Sequence, residues 1–220
     1  MTATAAQRVE AVRIPPWGLE GMLGFPAGEA RGLVLFAHGS GSSRSSPRNT
    51  YVAGALRQAG LATLLFDLLE ESEAEDRAKV FDIELLAERL LAATAWAGEH
   101  ATSRALRLGY FGASTGAAAA LIAAARQGDA IGAVVSRGGR PDLAGSALAR
   151  VKAPTLLIVG GEDTEVLALN RAAFRALRCE RLLEVVPGAT HLFEEPGALA
   201  EVVELARRWF CTHLGAATRG

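Results

Sequence analysis

The chain has 220 residues, half of them hydrophobic and 21% charged, with a formal net charge of −1. That length suits one domain with a full core, and the near-neutral balance excludes nucleic acid or an anionic membrane as main partner, since both call for a strong basic excess. No apolar stretch reaches bilayer length, residues 1–10 show no signal-peptide pattern, and the two cysteines, Cys179 and Cys211, make no disulfide framework, so a cytoplasmic location is expected.

In chain order, residues 9–14 and 19–25 read as two short strands joined by a turn at Pro15-Pro16-Trp17-Gly18. A continuous apolar run follows at 32–37 and ends in His38-Gly39. Continuous hydrophobicity, rather than alternation, marks a strand covered on both faces, as in a parallel sheet. The same pattern recurs at 61–66, 105–111, 130–135, 155–159 and 181–186. Helix-like stretches lie between these runs, at 51–58, 80–96, 115–126, 167–177 and 198–214. The acidic stretch 70–76 reads as a solvated loop or a helix start. Two leading strands followed by strand–helix alternation predict an α/β fold, a mostly parallel eight-stranded sheet with helices on both faces. We find no repeat, linker or second domain, so 1–220 reads as one domain with a core from about 9 to 214.

Chemistry-bearing residues fall where this pattern puts strand ends. Gly112-Ala113-Ser114-Thr115-Gly116 fits Gly-x-Ser-x-Gly between a strand and a helix, the context of a nucleophile elbow. A bland alternative is a glycine-rich turn for close packing. A serine hydroxyl needs a base, and four histidines are available: His38, His100, His191 and His213. His100 and His213 belong to polar helix ends and are expected at the surface. His191 follows the last strand and precedes the last helix, the expected place of the base. The acid should end the preceding strand, where Asp163 is the choice, with Glu162 and Glu165 as rivals and helix capping as an alternative role. Oxyanion donors are expected from the Thr115 and Ser40 backbone N–H groups. The Gly/Ser-rich loop bearing Ser40 lacks the lysine of a phosphate-binding loop, and His38 is expected to buttress it.

The motifs His-Gly-Ser-Gly at 38–41, Gly-Ala-Ser-Thr-Gly at 112–116, Gly-Gly-Glu-Asp at 160–163 and Gly-Ala-Thr-His at 188–191 resemble the α/β-hydrolase superfamily, within it the dienelactone-hydrolase-like group. The resemblance spans residues 9 to 214 and implies a Ser/Asp/His triad working without a cofactor. One departure is that the best-known dienelactone hydrolases use a cysteine nucleophile, where Ser114 stands here. Some relatives of this kind are joined to phosphoribosyltransferase domains; none is expected within these 220 residues.

Helix-forming sequence between the sixth and seventh strands is limited to about residues 141–150, so no large lid is expected. Arg44 and Arg48 follow the oxyanion loop, and Arg137 and Arg140 follow the sixth strand. All four are expected at the triad edge, where Arg44 and Arg137 would hold an anionic substrate or else pair with local acids. The reading is therefore a serine hydrolase acting on small esters, lactones or thioesters through an acyl-enzyme. The alternatives are an acyltransferase with the same triad and a non-catalytic binding module. No metal-ligand spacing is present.

Overall fold

The computed structural model describes residues 7–215, so most of the signal-peptide reading, residues 1–6, lies outside the described residues. Eight strands form one sheet: β1 (Arg8–Ile14), β2 (Leu19–Phe25), β3 (Leu33–Ala37), β4 (Ala62–Phe66), β5 (Leu108–Ala113), β6 (Ile131–Arg137), β7 (Thr155–Gly160) and β8 (Arg181–Val186). Their spatial order is β1-β2-β4-β3-β5-β6-β7-β8. β1 and β2 pair antiparallel, β2 meets β4 antiparallel, and every later pairing is parallel.

Strand periodicity splits the core into two layers. Leu33, Leu35, Leu64, Phe66, Tyr110, Val134 and Leu157 face one side. There they meet α4 (Ile83–Glu99), α5 (Thr115–Gln127) and α6 (Thr164–Ala176). Val34, Phe36, Leu65, Phe111, Val135 and Ile158 face the other, under α1 (Pro47–Gln58) and α7 (Ala198–Leu214). The inner parallel strands β3 to β7 are thus buried on both faces, which is why their sequences read as unbroken apolar runs, while β8 at the sheet edge leaves Leu182 and Val185 exposed. Helix α5 is alanine-rich because Ala117–Ala120 and Ala123–Ala124 are all fully buried; small side chains let it press close to the sheet. The Tyr110 hydroxyl, also buried, is satisfied by Thr94 Oγ1 at 2.7 Å.

Of the two readings of residues 70–76, a solvated loop or a helix start, the second holds: α2 (Glu71–Ala74) begins in a capping box between Glu70 and Glu73, and α3 (Arg77–Val80) follows. Between β6 and β7 the chain makes only 3-10 turns across Pro141–Arg150, with no lid among the described residues. No described helix is long and apolar enough to cross a membrane.

After β3 the chain goes outward to β4 and then crosses back to β5, so connections leave β3 and β5 in opposite directions. The crevice outside the carboxyl ends of such strands is where open α/β sheets bind ligands. His38–Ser40 lie at the end of β3 and Ser114 at the end of β5.

Candidate active site

Ser114 sits between β5 and α5 at φ 50° and ψ −123°, a conformation that a non-glycine residue adopts only when its surroundings enforce it. Those surroundings are visible. Its N–H donates to Arg137 O at 3.4 Å, and its carbonyl accepts from Ala117 N at 3.1 Å and Arg140 N at 3.0 Å. Gly39 leaves room beside it, because a Cβ there would stand 2.8 Å from Ser114 Cβ. Ser114 Oγ itself makes no hydrogen bond among the described residues.

His191 Nδ1 and Asp163 Oδ2 are 2.6 Å apart. Asp163 occupies the N-cap position of α6, yet its side chain caps nothing and goes to the histidine instead. The capping alternative therefore fails on geometry. The two residues meet because β7 and β8 pair in parallel and the chain after each folds over the same edge; Glu162 N donates to Ala189 O at 3.0 Å across the two loops. Glycine at 138 lies next to the imidazole, with its Cβ position 3.7 Å from His191 Cε1. The Arg137–Gly138 segment thus touches Ser114 on one side and His191 on the other.

The Gly/Ser-rich loop after β3 is fastened from below. His38 is buried, and its Nε2 accepts the Leu68 N–H at 3.1 Å, which leaves Nδ1 protonated to donate to Gly39 O at 3.0 Å. Ser40 N donates to Thr115 Oγ1 at 3.2 Å, so the threonine hydroxyl joins the two expected oxyanion donors. The Thr115 N–H opens α5, where helical N–H groups have no acceptor within the helix.

Burial pushes the His38 imidazole below its usual value of 6.5, against smaller opposing effects from Gly39 O and Asp67. An unfolded chain takes up a proton near 6.5 that the folded one refuses. This contribution to stability is complete above that pH and declines as pH falls through it, at up to about 1.4 kcal/mol per pH unit. His213, also held low by burial, acts with the same sign. Urea midpoints at pH 7.5 and 5.5 are expected to differ less in His38→Gln than in the parent. Equal differences would remove His38 from the account.

The four arginines separate. Arg44 is bound on both sides by Asp67 and Glu20, with its N–H on Asp67 Oδ1 at 2.7 Å. Arg140 is bidentate to Asp142 at 2.9 and 2.8 Å. Arg48 reaches Glu194 at 3.2 Å. Only Arg137 is buried, and its side chain has no hydrogen bond or ion pair among the described residues. Of the two expectations for these arginines, pairing with local acids holds for Arg44, Arg48 and Arg140, whereas the Arg137 side chain has no acid partner among the described residues. Histidines 100 and 213 are corrected; both are half-buried, stacked on Trp96 and Trp209 with ring centroids 4.5 Å apart.

Two hollows flank these residues. One, about 660 Å³, is lined by residues 38–44 together with Trp17, Asp67, Glu71, Val80 and Leu86. Sequence reading missed its walls, which come from the β1–β2 turn and the β4–α4 connection. That wall is anchored by the buried Arg89, which binds Glu73 at 2.9 Å and lies 3.8 Å from the Trp17 ring centroid. The other hollow, about 460 Å³, is lined by Arg48, Tyr51, Phe193 and Glu194, just past His191.

This sheet, with its serine elbow at β5 and the acid–histidine pair after β7 and β8, is that of an α/β-hydrolase. The chain belongs to the dienelactone hydrolase family, whose model matches residues 22–210. It is similar to a crystal structure of dienelactone hydrolase from Anabaena variabilis ATCC 29413, with 53% identity, a TM-score of 0.90, and coverage of 96% of this chain and 99% of that one. Est1E from Butyrivibrio proteoclasticus shares the fold at 18% identity and a TM-score of 0.79, over 94% of this chain and 99% of that one. A Mycobacterium tuberculosis protein named "Putative phosphoribosyl transferase" is 61% identical over 184 residues, 84% of this chain. Those residues are 42% of the relative, so the chain spans less than half of that protein's length.

Proposed function

We propose that this chain is a serine hydrolase that cleaves carboxylic esters, lactones or thioesters through an acyl-enzyme. The observation that carries the reading is the 2.6 Å Asp163–His191 contact beside a serine held at positive φ. Ser114 Oγ attacks the carbonyl carbon while His191 Nε2 takes its proton, and Asp163 fixes the tautomer with Nδ1 protonated. The Thr115 and Ser40 N–H groups receive the developing oxyanion. Ser40 must then turn its N–H from Thr115 Oγ1, or share it. Collapse of the tetrahedral intermediate expels the alcohol or thiol, protonated by His191. Water, deprotonated by the same histidine, then attacks the acyl-enzyme and releases the acid. A serine–histidine hydrogen bond that is open in the resting site and closes on substrate is common in such enzymes.

Asp163→Asn is expected to lower kcat by about 10⁴-fold, because an amide stabilises the wrong tautomer while leaving the shape intact. Steady-state hydrolysis of p-nitrophenyl acetate measures it. A loss below tenfold would move the acid's role to Glu162 or Glu165. The family name of the Anabaena variabilis relative is compatible with a lactone as substrate, and the free, half-buried Cys179 and Cys211 are compatible with a reducing cytoplasm.

A further inference from the structure

The 660 Å³ hollow begins beside Ser114. Gly39 and Ser40 line it, and a Cβ at Gly39 would stand 2.8 Å from Ser114 Cβ. Its size is that of a site for a small organic molecule. Much of its wall is apolar, from Trp17, Leu69, Val80 and Leu86. Trp17 is 40% exposed, yet its ring is fixed: the Arg89 guanidinium lies 3.8 Å from the ring centroid and is held by Glu73 at 2.9 Å. A ring already in contact with one guanidinium is a poor seat for a second cation, but it still offers an uncharged ring a stacking or edge contact. Charge in the same lining points the same way. Asp67 and Glu20 hold Arg44, and Glu20 also holds Arg13 at 2.9 Å, so both arginines are neutralised. Burial keeps His38 from protonating at neutral pH. Glu70 and Glu71 are left, with no cation against either among the described residues, and Arg137 lies outside the lining.

We propose that this hollow takes an uncharged aromatic group of the substrate, and that Trp17 is the side chain that selects it. The inference rests on the hydrolase reading for the word substrate, but not for the hollow. A phenyl group that leaves water for this wall gains from apolar burial and from contact with the fixed indole. The same group bearing a carboxylate meets Glu70 and Glu71 with no free cation to receive it. That repulsion acts across a solvated rim, so salt weakens it. The 460 Å³ hollow past His191 has the same sign, with Glu194 and Glu195 against Arg48. Neither side of the nucleophile therefore favours an anionic arm.

The test has two halves. In the first, kcat/KM is compared by proton release for ethyl acetate, ethyl hydrocinnamate, phenethyl acetate, and the two aromatic esters bearing a p-carboxylate. The parent should use one neutral aromatic ester about tenfold better than ethyl acetate. Which one wins shows whether the acyl or the alcohol arm enters the hollow. Its p-carboxylate twin should be several-fold worse, by a margin that shrinks in high salt and in Glu71→Gln. Trp17→Leu should remove most of the aromatic preference. So should Ala74→Trp, which fills the hollow from an exposed position on α2 where folding is not at stake. In the second half, the uncleaved amides hydrocinnamamide and N-phenethylacetamide are titrated calorimetrically into Ser114→Ala protein. Binding of either amide that weakens about tenfold with Trp17→Leu or Ala74→Trp supports the hollow even if Ser114 proves inert. Ester turnover with no aromatic preference, by a protein whose Ser114→Ala form binds neither amide, overturns the proposal while leaving the hydrolase reading intact. A preference for the p-carboxylate twin, or an aromatic preference that both variants retain, overturns it too.

Discussion

Ser114→Ala is expected to lower kcat by roughly 10⁴–10⁶-fold with little change in KM or stability. The loss is large because, without a covalent path, only binding and the oxyanion donors still act. Stability should hold because alanine suffers the same positive φ as serine. The companion Ser114→Gly tests the elbow differently. A positive-φ, non-glycine conformation costs about 1–3 kcal/mol, and glycine removes that cost while restoring some chain entropy to the unfolded state. Ser114→Gly should therefore be inactive yet at least as stable as the parent in urea. A Ser114→Gly protein that loses stability would mean that the elbow stores no strain.

Gly116→Ala is expected to be the most damaging single methyl in the chain, destabilising it by about 3 kcal/mol or more. A Cβ at this position would lie 2.5 Å from the carbonyl oxygen of His38 and closer still to that of Ala37. Both neighbours are backbone, so no rotamer change relieves the clash. Either α5 lifts from the sheet or the end of β3 shifts, and each moves the Ser40 N–H away from Ser114. Activity and stability should fall together, with a lower urea midpoint and kcat reduced in the fraction still folded. Gly98→Ala is the control: it lies on α4 with nothing within 4 Å of its Cβ position, and it should be neutral or slightly stabilising. Equal midpoints for the two variants would show that α5 is not clamped against the end of β3.

The middle of the sheet was legible because burial on both faces removes polar residues from β3 to β7, so each of these strands announces itself. Strand ends were less so. Residues 105–107 look apolar enough to extend β5, but Leu106 N turns back to Ser103 O and the strand starts at Leu108. Helix α1 starts at Pro47, four residues before the expected 51, because Arg48 and Thr50 give its first turn no apolar signature. The three residues proposed for the chemistry could be located from motif and chain order, since they lie in the segments that follow β5, β7 and β8. Their surroundings could not. Asp67 and Glu20 reach Arg44 from other strands, and Arg137 lacks an acid for reasons that only the packing of Phe193 and α1 reveals. His213 looked like a surface residue until Trp209, one helical turn earlier, covered it. Pairing across the chain decides such cases, and local pattern carries no record of it.

The central claim is that Ser114 is an activated nucleophile, and covalent labelling tests it most directly. Purified protein treated with a fluorophosphonate should gain the mass of a single adduct, mapped to the peptide containing Ser114, and Ser114→Ala treated alike should gain none. His191→Ala should label far more slowly, because the base is missing. Folded parent protein that stays unlabelled, or an adduct that persists in Ser114→Ala, would contradict the account.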